Sequence, residues 1–420
     1  MSKLAINGGN KIRTKLFPLQ TSIGLEEKEA VMRVMDGKLS GFCGAWNPGF
    51  YGGEQVQAFE REWAEKFGVR HAIVCNTATS GLHIACRALE LRKGSEVIVT
   101  PWSMTCSATA PIVAGAEPIF ADVEKDYFCL DYEAVKVLMA KRDLSINAII
   151  AVSLFGQPFD PRLREFGLPI IEDAAQSPGA MCFEDGVGTY TGALGDLGVF
   201  SFTWGKHMSA GEGGLITTND DELAMKCRLI MNHAEAVVNG MPPNMQRKYA
   251  HLWGFNMRIG EIQAAIMRSQ LRKFDALLAH RLANAQIMQE YLSTIPAITP
   301  VKTRPNCTHV YYTDPYLWDS EKAGGLHKRR YLEAVKAELP EMEGRPGEEP
   351  MIKTAYITPI YLMPYFQRLG YSKGLCPIAE DLDANRIFMH LYHPYPTSKE
   401  DILDVAKAFH KVWDHRGELR

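Results

Sequence analysis

The chain has 420 residues, long enough to bury a large core and to form two domains. Apolar residues make up 46% and charged residues 23%, and the formal net charge of −3 leaves no overall basic footprint for nucleic acid or an anionic membrane. No apolar run approaches the ~20 residues of a membrane helix, and MSKLAINGGNKIR at the N-terminus lacks the apolar stretch of a signal peptide, so a cytoplasmic protein is expected.

In chain order, the apolar spacing predicts a helix over 23–37 that ends at Gly37, an ordered loop over 38–56 and a second helix over VQAFEREWAEKFGV that stops at Gly68. HAIVC (71–75) reads as a short strand, TATSGLHIACRALEL as a helix, and SEVIVTP and AEPIFADV as further strands. AVKVLMAKR reads as a helix and INAIIAVSLFG as a strand, and LPIIEDAA, LGDLGVFSF and GEGGLITTND continue the series. Strands alternating with helices predict an α/β fold around a mostly parallel sheet. From residue 258 the stretch RIGEIQAAIMRSQLRKFDALLAHRLANAQIMQEYLSTI predicts one helix of more than 30 residues, of the kind that bridges domains. The boundary is placed inside it near 278, giving a large domain over 1–278 and a smaller α+β domain over 279–420. ELPEMEGRPGEEPM (338–351) is expected to be an exposed loop. The nine cysteines are scattered without a CxxC pair, which predicts reduced thiols and no zinc site.

A sheet of this kind binds its ligand at the carboxyl ends of its strands. After HAIVC comes NTATSGLH, a turn of small and hydroxyl residues entering a helix. Its backbone N–H groups suit an anion such as phosphate; simple capping by Thr77 or Thr79 is the alternative. Asp173 follows LPIIE, and Lys206 follows LGVFSF, with GEGG just beyond. The glycines suit a tight turn where backbone passes close to a ligand. A lone loop lysine faces solvent by default. Lys206, however, lies 33 residues after Asp173 and downstream of a phosphate-type turn. A carboxylate, a lysine and a phosphate cradle on successive strand ends match the needs of pyridoxal 5′-phosphate (PLP). The carboxylate keeps the pyridinium protonated, which makes the ring an electron sink, and desolvation frees the lysine amine for reaction. A nucleotide site has less support: GxxxxGK[ST] is absent because His207 follows Lys206, and no GxGxxG follows the first strand.

The ordered segments CNTATSGLH, EVIVTPWSM, IIEDAAQSPGA, FSFTWGKHMSAGEGG and WGFNMRIGEIQAAI resemble the DegT/DnrJ/EryC1/StrS aminotransferases, over about residues 20 to 410. The resemblance implies the fold type I, aspartate aminotransferase-like architecture of PLP enzymes. It implies amination of a keto sugar, often nucleotide-linked, or of a ketocyclitol, with L-glutamate or L-glutamine as donor, in amino-sugar or aminocyclitol biosynthesis. By position it makes Lys206 the Schiff-base lysine and Asp173 the partner of the pyridinium nitrogen. Gln176 would lie near the ring's O3′. Ala78 and Thr79 would hold the phosphate, with Ser201 as a further contact. Asn256 would reach the phosphate of the neighbouring subunit's cofactor, which implies a homodimer with shared active sites.

Several positions depart from the pattern. The family covers the cofactor ring with an aromatic residue, where spacing here gives Met104; Trp102 takes that role only by a local shift and is otherwise core. A dehydratase branch carries His in place of the lysine. Here the histidine comes one position late, at His207, which favours the aminotransferase and makes His207 a packing residue. The long GFCGAWNPGFYGG segment, and His390, Tyr392 and His393 in HLYHPYP, are candidates for shaping the acceptor pocket or are plain loop residues. The rival classes are a PLP-dependent dehydratase, lyase or aminohydroxybenzoate synthase-like enzyme, a non-catalytic PLP-binding protein, and an α/β enzyme with another cofactor.

Overall fold

The computed structural model describes residues 3–47, 49–141, 144–343 and 350–419. Helices α1 (Leu25–Met35) and α2 (Glu54–Phe67) lead to β1 (His71–Cys75), α3 (Ala78–Ala88), β2 (Glu96–Val99), α4 (Cys106–Val113), β3 (Glu117–Phe120), α5 (Tyr132–Met139), β4 (Ile146–Val152) and β5 (Ile170–Asp173). The strands β6 (Met181–Glu184) and β7 (Val187–Tyr190) form a hairpin, followed by β8 (Leu197–Ser201) and β9 (Gly214–Thr218). Helices α6 (Asp221–Met231), α7 (Ala234–Asn239), α8 (Pro243–Tyr249) and α9 (Glu261–Leu292) come next. The C-terminal part holds β10 (Ile298–Pro300), β11 (Asp314–Trp318), α10 (Lys328–Ala337), β12 (Ile352–Lys353), α11 (Pro364–Arg368), α12 (Pro377–Asp381), β13 (Ile387–His390) and α13 (Lys399–Asp414).

The large sheet runs β1-β9-β8-β5-β4-β2-β3. It is parallel except for β9, which is antiparallel to both β1 and β8. Its inner strands are buried on both faces, as β5 and β9 are along their whole length. That burial is why they read as runs without apolar–polar alternation. Local chemistry sets the helix ends. Gly68 closes α2 in the left-handed region (φ 65°), and Asp131 and Asp220 cap α5 and α6 by accepting from Ala134 N (2.9 Å) and Leu223 N (2.8 Å).

A smaller antiparallel sheet, β10-β11-β13-β12, has its own core with α10 and α13. Helix α9 joins the two: Ala264, Met267, Leu271 and Phe274 bury against the large domain, and Met288 and Leu292 against the small sheet. The cores also exchange segments. Leu4 and Phe17 pack into the C-terminal core, and Ile360, Tyr361, Phe366 and Leu382 pack into that of the large sheet. Among the described residues no helix is long and apolar enough to cross a membrane.

Two expectations are corrected. Cys182 in β6 and Cys307 form a disulfide, so the cysteines are not all reduced thiols. The two residues are 125 apart in sequence, and no local spacing announces the pair. The start of the expected loop at 338–351 is also not exposed. Glu338 is buried and accepts from Ala5 N (2.8 Å) and Lys411 Nζ (2.7 Å), and Leu339 and Met342 are core; residues 344–349 lie outside the described residues.

Candidate functional site

The register of the large sheet brings several of the singled-out residues to one edge. Cys75, at the end of β1, pairs with Gly214; Gly214 also pairs with Ser201 at the end of β8; Asp173, at the end of β5, pairs with Val199. Beyond β1, Thr77 caps α3 by accepting from Ser80 N (3.0 Å). The first i→i−4 bond of the helix is Gly81 N to Thr77 O (3.0 Å), which leaves the N–H groups of Ala78 and Thr79 without an intrahelical acceptor at the positive end of the dipole. The capping and anion-site readings of this turn are therefore compatible. A Cβ on Gly214 would lie 2.4 Å from the Thr77 carbonyl and 2.7 Å from Ala78 N. GEGG thus ends in glycine because β9 starts directly against this turn.

Asp173 is buried, 4% exposed. It accepts from Ser107 Oγ (3.1 Å) and Ala175 N (3.2 Å) and has no ion-pair partner among the described residues. Burial raises its pKa above the ordinary value, opposed by the Ala175 N–H, the Lys206 charge and the Ser107 hydroxyl. A buried carboxylate held by two neutral donors suits a planar cation more than an empty interior. Gln176 is also buried and fixed at both ends: Phe155 N donates to its Oε1 (2.8 Å), and its Nε2 donates to Tyr356 OH (2.8 Å). Cys106, at the head of α4, lies between the parts. Burial pushes its thiol up to about 12 with help from the Asp173 charge, while the Thr79 hydroxyl and the Lys206 charge oppose the rise.

Lys206 is half-buried, and its ammonium stands 4.1 Å from the centre of the Tyr312 ring. The adjacent His207 is buried; its Nε2 donates to the Val310 carbonyl (3.0 Å) while Nδ1 has no partner. Burial, then the Arg281 charge, hold this imidazole well below its ordinary pKa, so it is neutral. Trp102 is wholly buried: its Nε1 donates to Ile357 O (2.7 Å), and its ring meets Phe128, Phe155 and Tyr356 edge-on. Met104, at the entrance to α4, is 54% exposed. Asn256 is exposed on this chain, one residue before Met257, whose carbonyl accepts from Asn76 N (2.9 Å) at the turn into α3.

With this geometry in place, the comparisons are informative. The profile of the DegT/DnrJ/EryC1/StrS aminotransferase family matches residues 46–410. The chain belongs to this family. Among its relatives, an L-glutamine:2-deoxy-scyllo-inosose aminotransferase of Streptomyces lividus is 29% identical over 434 residues, 99% of each chain. A GDP-perosamine synthase of Caulobacter vibrioides is 40% identical over 234 residues, 54% of this chain and 59% of the other. An aminotransferase structure from Psychrobacter cryohalolentis superposes with a TM-score of 0.80 at 26% identity, covering 95% of this chain and 99% of that one.

Within this aminotransferase scaffold, the residues that sequence reasoning did not find are Cys106, Tyr312, Tyr356 and Arg281. Only Arg281 carried a signal. It occupies a buried stripe of α9 with Phe274, Ala285 and Met288, where an arginine breaks the apolar pattern. His390 and Tyr392, considered for the pocket, are interior residues bonded to Asp314 Oδ2 (2.9 Å) and to Met351 N (3.0 Å). In the GFCGAWNPGFYGG segment, Phe50 and Trp46 pack against α7 and α8.

Proposed function

We propose that the protein is a PLP-dependent aminotransferase that moves an amino group from L-glutamate or L-glutamine to a keto sugar or ketocyclitol. The observation that carries this reading is the buried, unpaired Asp173 on the same sheet edge as the free amides of Ala78 and Thr79, within electrostatic reach of Lys206. When bound, PLP supplies an electron sink for the charge that develops at the donor's Cα. Asp173 holds the proton on the ring nitrogen. Ala78, Thr79 and Ser201 hold the phosphate, joined by Asn256 from the second subunit of a homodimer, and Gln176 is held rigidly enough to orient a ring oxygen. Lys206 would hold the cofactor, and its free amine would take the proton from the donor's Cα and return it. Met104 covers the ring, because Trp102 is committed to the core.

The acceptor is left as a class. One relative's name specifies an inosose and another's a GDP-linked sugar. A lysine at 206, and not a histidine, supports transamination over dehydration. The test is visible absorption, borohydride reduction and peptide mapping, followed by product analysis. The expected result is a yellow protein labelled on Lys206 that yields one 2-oxo acid per aminated acceptor. A protein that takes up no label in the presence of PLP sinks the reading, and one that dehydrates the acceptor without a 2-oxo acid replaces it with a lyase.

A further inference from the structure

Cys307 precedes Tyr312, whose ring stands against Lys206, by five residues. Its disulfide partner Cys182 is 7% exposed, and Cys307 itself is half-buried. Both line a cavity of about 1710 Å³ whose walls also include Phe183, Arg304 and Asn306. Residues 306–308 lie along β6 as a third strand. Phe183 N donates to Asn306 O (2.7 Å), Thr308 N to Met181 O (2.8 Å) and Met181 N to Thr308 Oγ1 (2.8 Å). The two cysteines face each other across this pairing. Beyond it the chain passes to Lys206: Val310 N donates to Gly156 O (2.8 Å) and Tyr312 N to Phe155 O (2.8 Å). His207 Nε2 donates to Val310 O (3.0 Å), and Arg281 Nη1 to the carbonyls of Tyr311 (3.0 Å) and Tyr312 (3.1 Å). Arg281 has no carboxylate partner among the described residues. Asn306 (φ 58°) and Tyr311 (φ 47°) are left-handed without being glycine. Such residues stay there only where surrounding contacts hold them, so anchors set the path of 306–312. A two-stranded hairpin such as β6–β7 is marginal by itself, and hydrogen bonds at its edge compete with water. The disulfide is the covalent anchor at the upstream end.

We propose that Cys182 and Cys307 are a thiol–disulfide modification site whose oxidised form holds Tyr312 against Lys206. The proposal rests on the aminotransferase reading for its effect on turnover. The co-reactant is a dithiol. Its thiolate attacks Sγ of Cys307, the more exposed residue of the pair. The Cys182–Cys307 bond breaks, and Cys182 leaves as a thiolate and takes up a proton. The second thiol of the reductant then attacks the mixed disulfide, departs as a cyclic disulfide and frees the Cys307 thiol. Two electrons and two protons pass to the protein. With the pair reduced, hydrogen bonds alone hold the upstream end of the segment. Tyr311 then relaxes from its left-handed conformation, and the Tyr312 ring withdraws from Lys206. The cysteines remain opposite each other on paired backbone, so oxidation re-forms the bond without a search along the chain.

The test compares oxidised holoenzyme with holoenzyme reduced by dithiothreitol and desalted. A Cys182→Ser/Cys307→Ser double variant serves as the permanently untied form. Thiol titration after denaturation should count seven thiols in the oxidised protein and nine in the reduced; nine in the oxidised protein overturns the proposal. Hydrogen exchange, which needs no activity, should quicken on reduction at the Val310 and Tyr312 amides and stay unchanged in β4 and β5. Turnover should fall about 2- to 30-fold, the loss expected of Tyr312→Leu, and return on reoxidation. The double variant should sit at the reduced level and ignore dithiothreitol. In a Tyr312→Leu background, reduction should lower turnover no further. Reduction that leaves either exchange or turnover unchanged overturns the proposal. So does a loss that persists in the double variant or adds to that of Tyr312→Leu. If the variants do not fold, the thiol count, the exchange and the reversibility of the wild-type enzyme decide. A wild-type protein that transaminates nothing defeats the parent reading instead, and exchange at Val310 and Tyr312 still reports on the disulfide.

Discussion

At the carboxyl edge of the large sheet, Ala78, Thr79, Asp173 and Ser201 each lie within a few residues of a strand end, and local turns deliver them. Around Lys206 the walls come from the rest of the chain: Tyr312 from the segment before β11, Arg281 from the middle of α9, and Ser22 from before α1. The first region is set by strand register and capping. The second exists only where the two cores meet, and it depends on a long helix, a returning N-terminal segment and the loop that the Cys182–Cys307 disulfide ties to the β6–β7 hairpin. The contrast teaches that one end of the site is built by the sheet and its turns alone, whereas the other needs elements from both cores.

The largest expected effect falls where the regions meet. Lys206→Ala should lower turnover by about 10²–10⁴-fold or more while the protein still binds PLP, as single-turnover mixing with donor would show. Asp173→Asn comes next, with cofactor affinity down by about 10²–10³-fold. It carries a pH signature. Uptake by the wild-type protein needs the carboxylate form, and burial raises the Asp173 pKa, so uptake should weaken on acidification at a higher pH than the ordinary ~3.9 of aspartate. The asparagine variant should lack that acidic limb. Gly214→Ala probes the first region alone. Its Cβ collides with the Thr77 carbonyl at 2.4 Å, which should cost about 1–3 kcal/mol in stability and weaken binding of PLP more than of pyridoxal; equal weakening would separate the turn from the phosphate. The smallest effect belongs to the second region. Tyr312→Leu should cost about 0.5–2 kcal/mol of interaction with the Lys206 ammonium, read as a turnover lowered about 2- to 30-fold, and Tyr312→Phe should restore it.

Much of the first region was legible in the sequence. Buried strands such as IIED and GLITT show no alternation of apolar and polar residues, and the residues that follow them are small or charged for reasons of turn chemistry. The second region was largely illegible. His207 gave no sign that its partner would be Val310, and spacing, which favoured Met104 over Trp102 as the ring cover, said nothing of the Phe128, Phe155 and Tyr356 rings that surround Trp102. Helix α4 went unread because CSATAPIV has a proline inside it and little amphipathic pattern.

The sequence by itself determined the mostly parallel α/β sheet, a turn capped by Thr77 or Thr79, the strand-end placement of Asp173 and the glycine-flanked position of Lys206, because each depends on neighbours a few residues away. Only the tertiary structure decided the Cys182–Cys307 pair, the burial of Arg281 without an acid and the ring beneath Lys206. Those contacts join residues tens to more than a hundred positions apart, and no local periodicity records which distant surfaces will meet when two cores close on one helix.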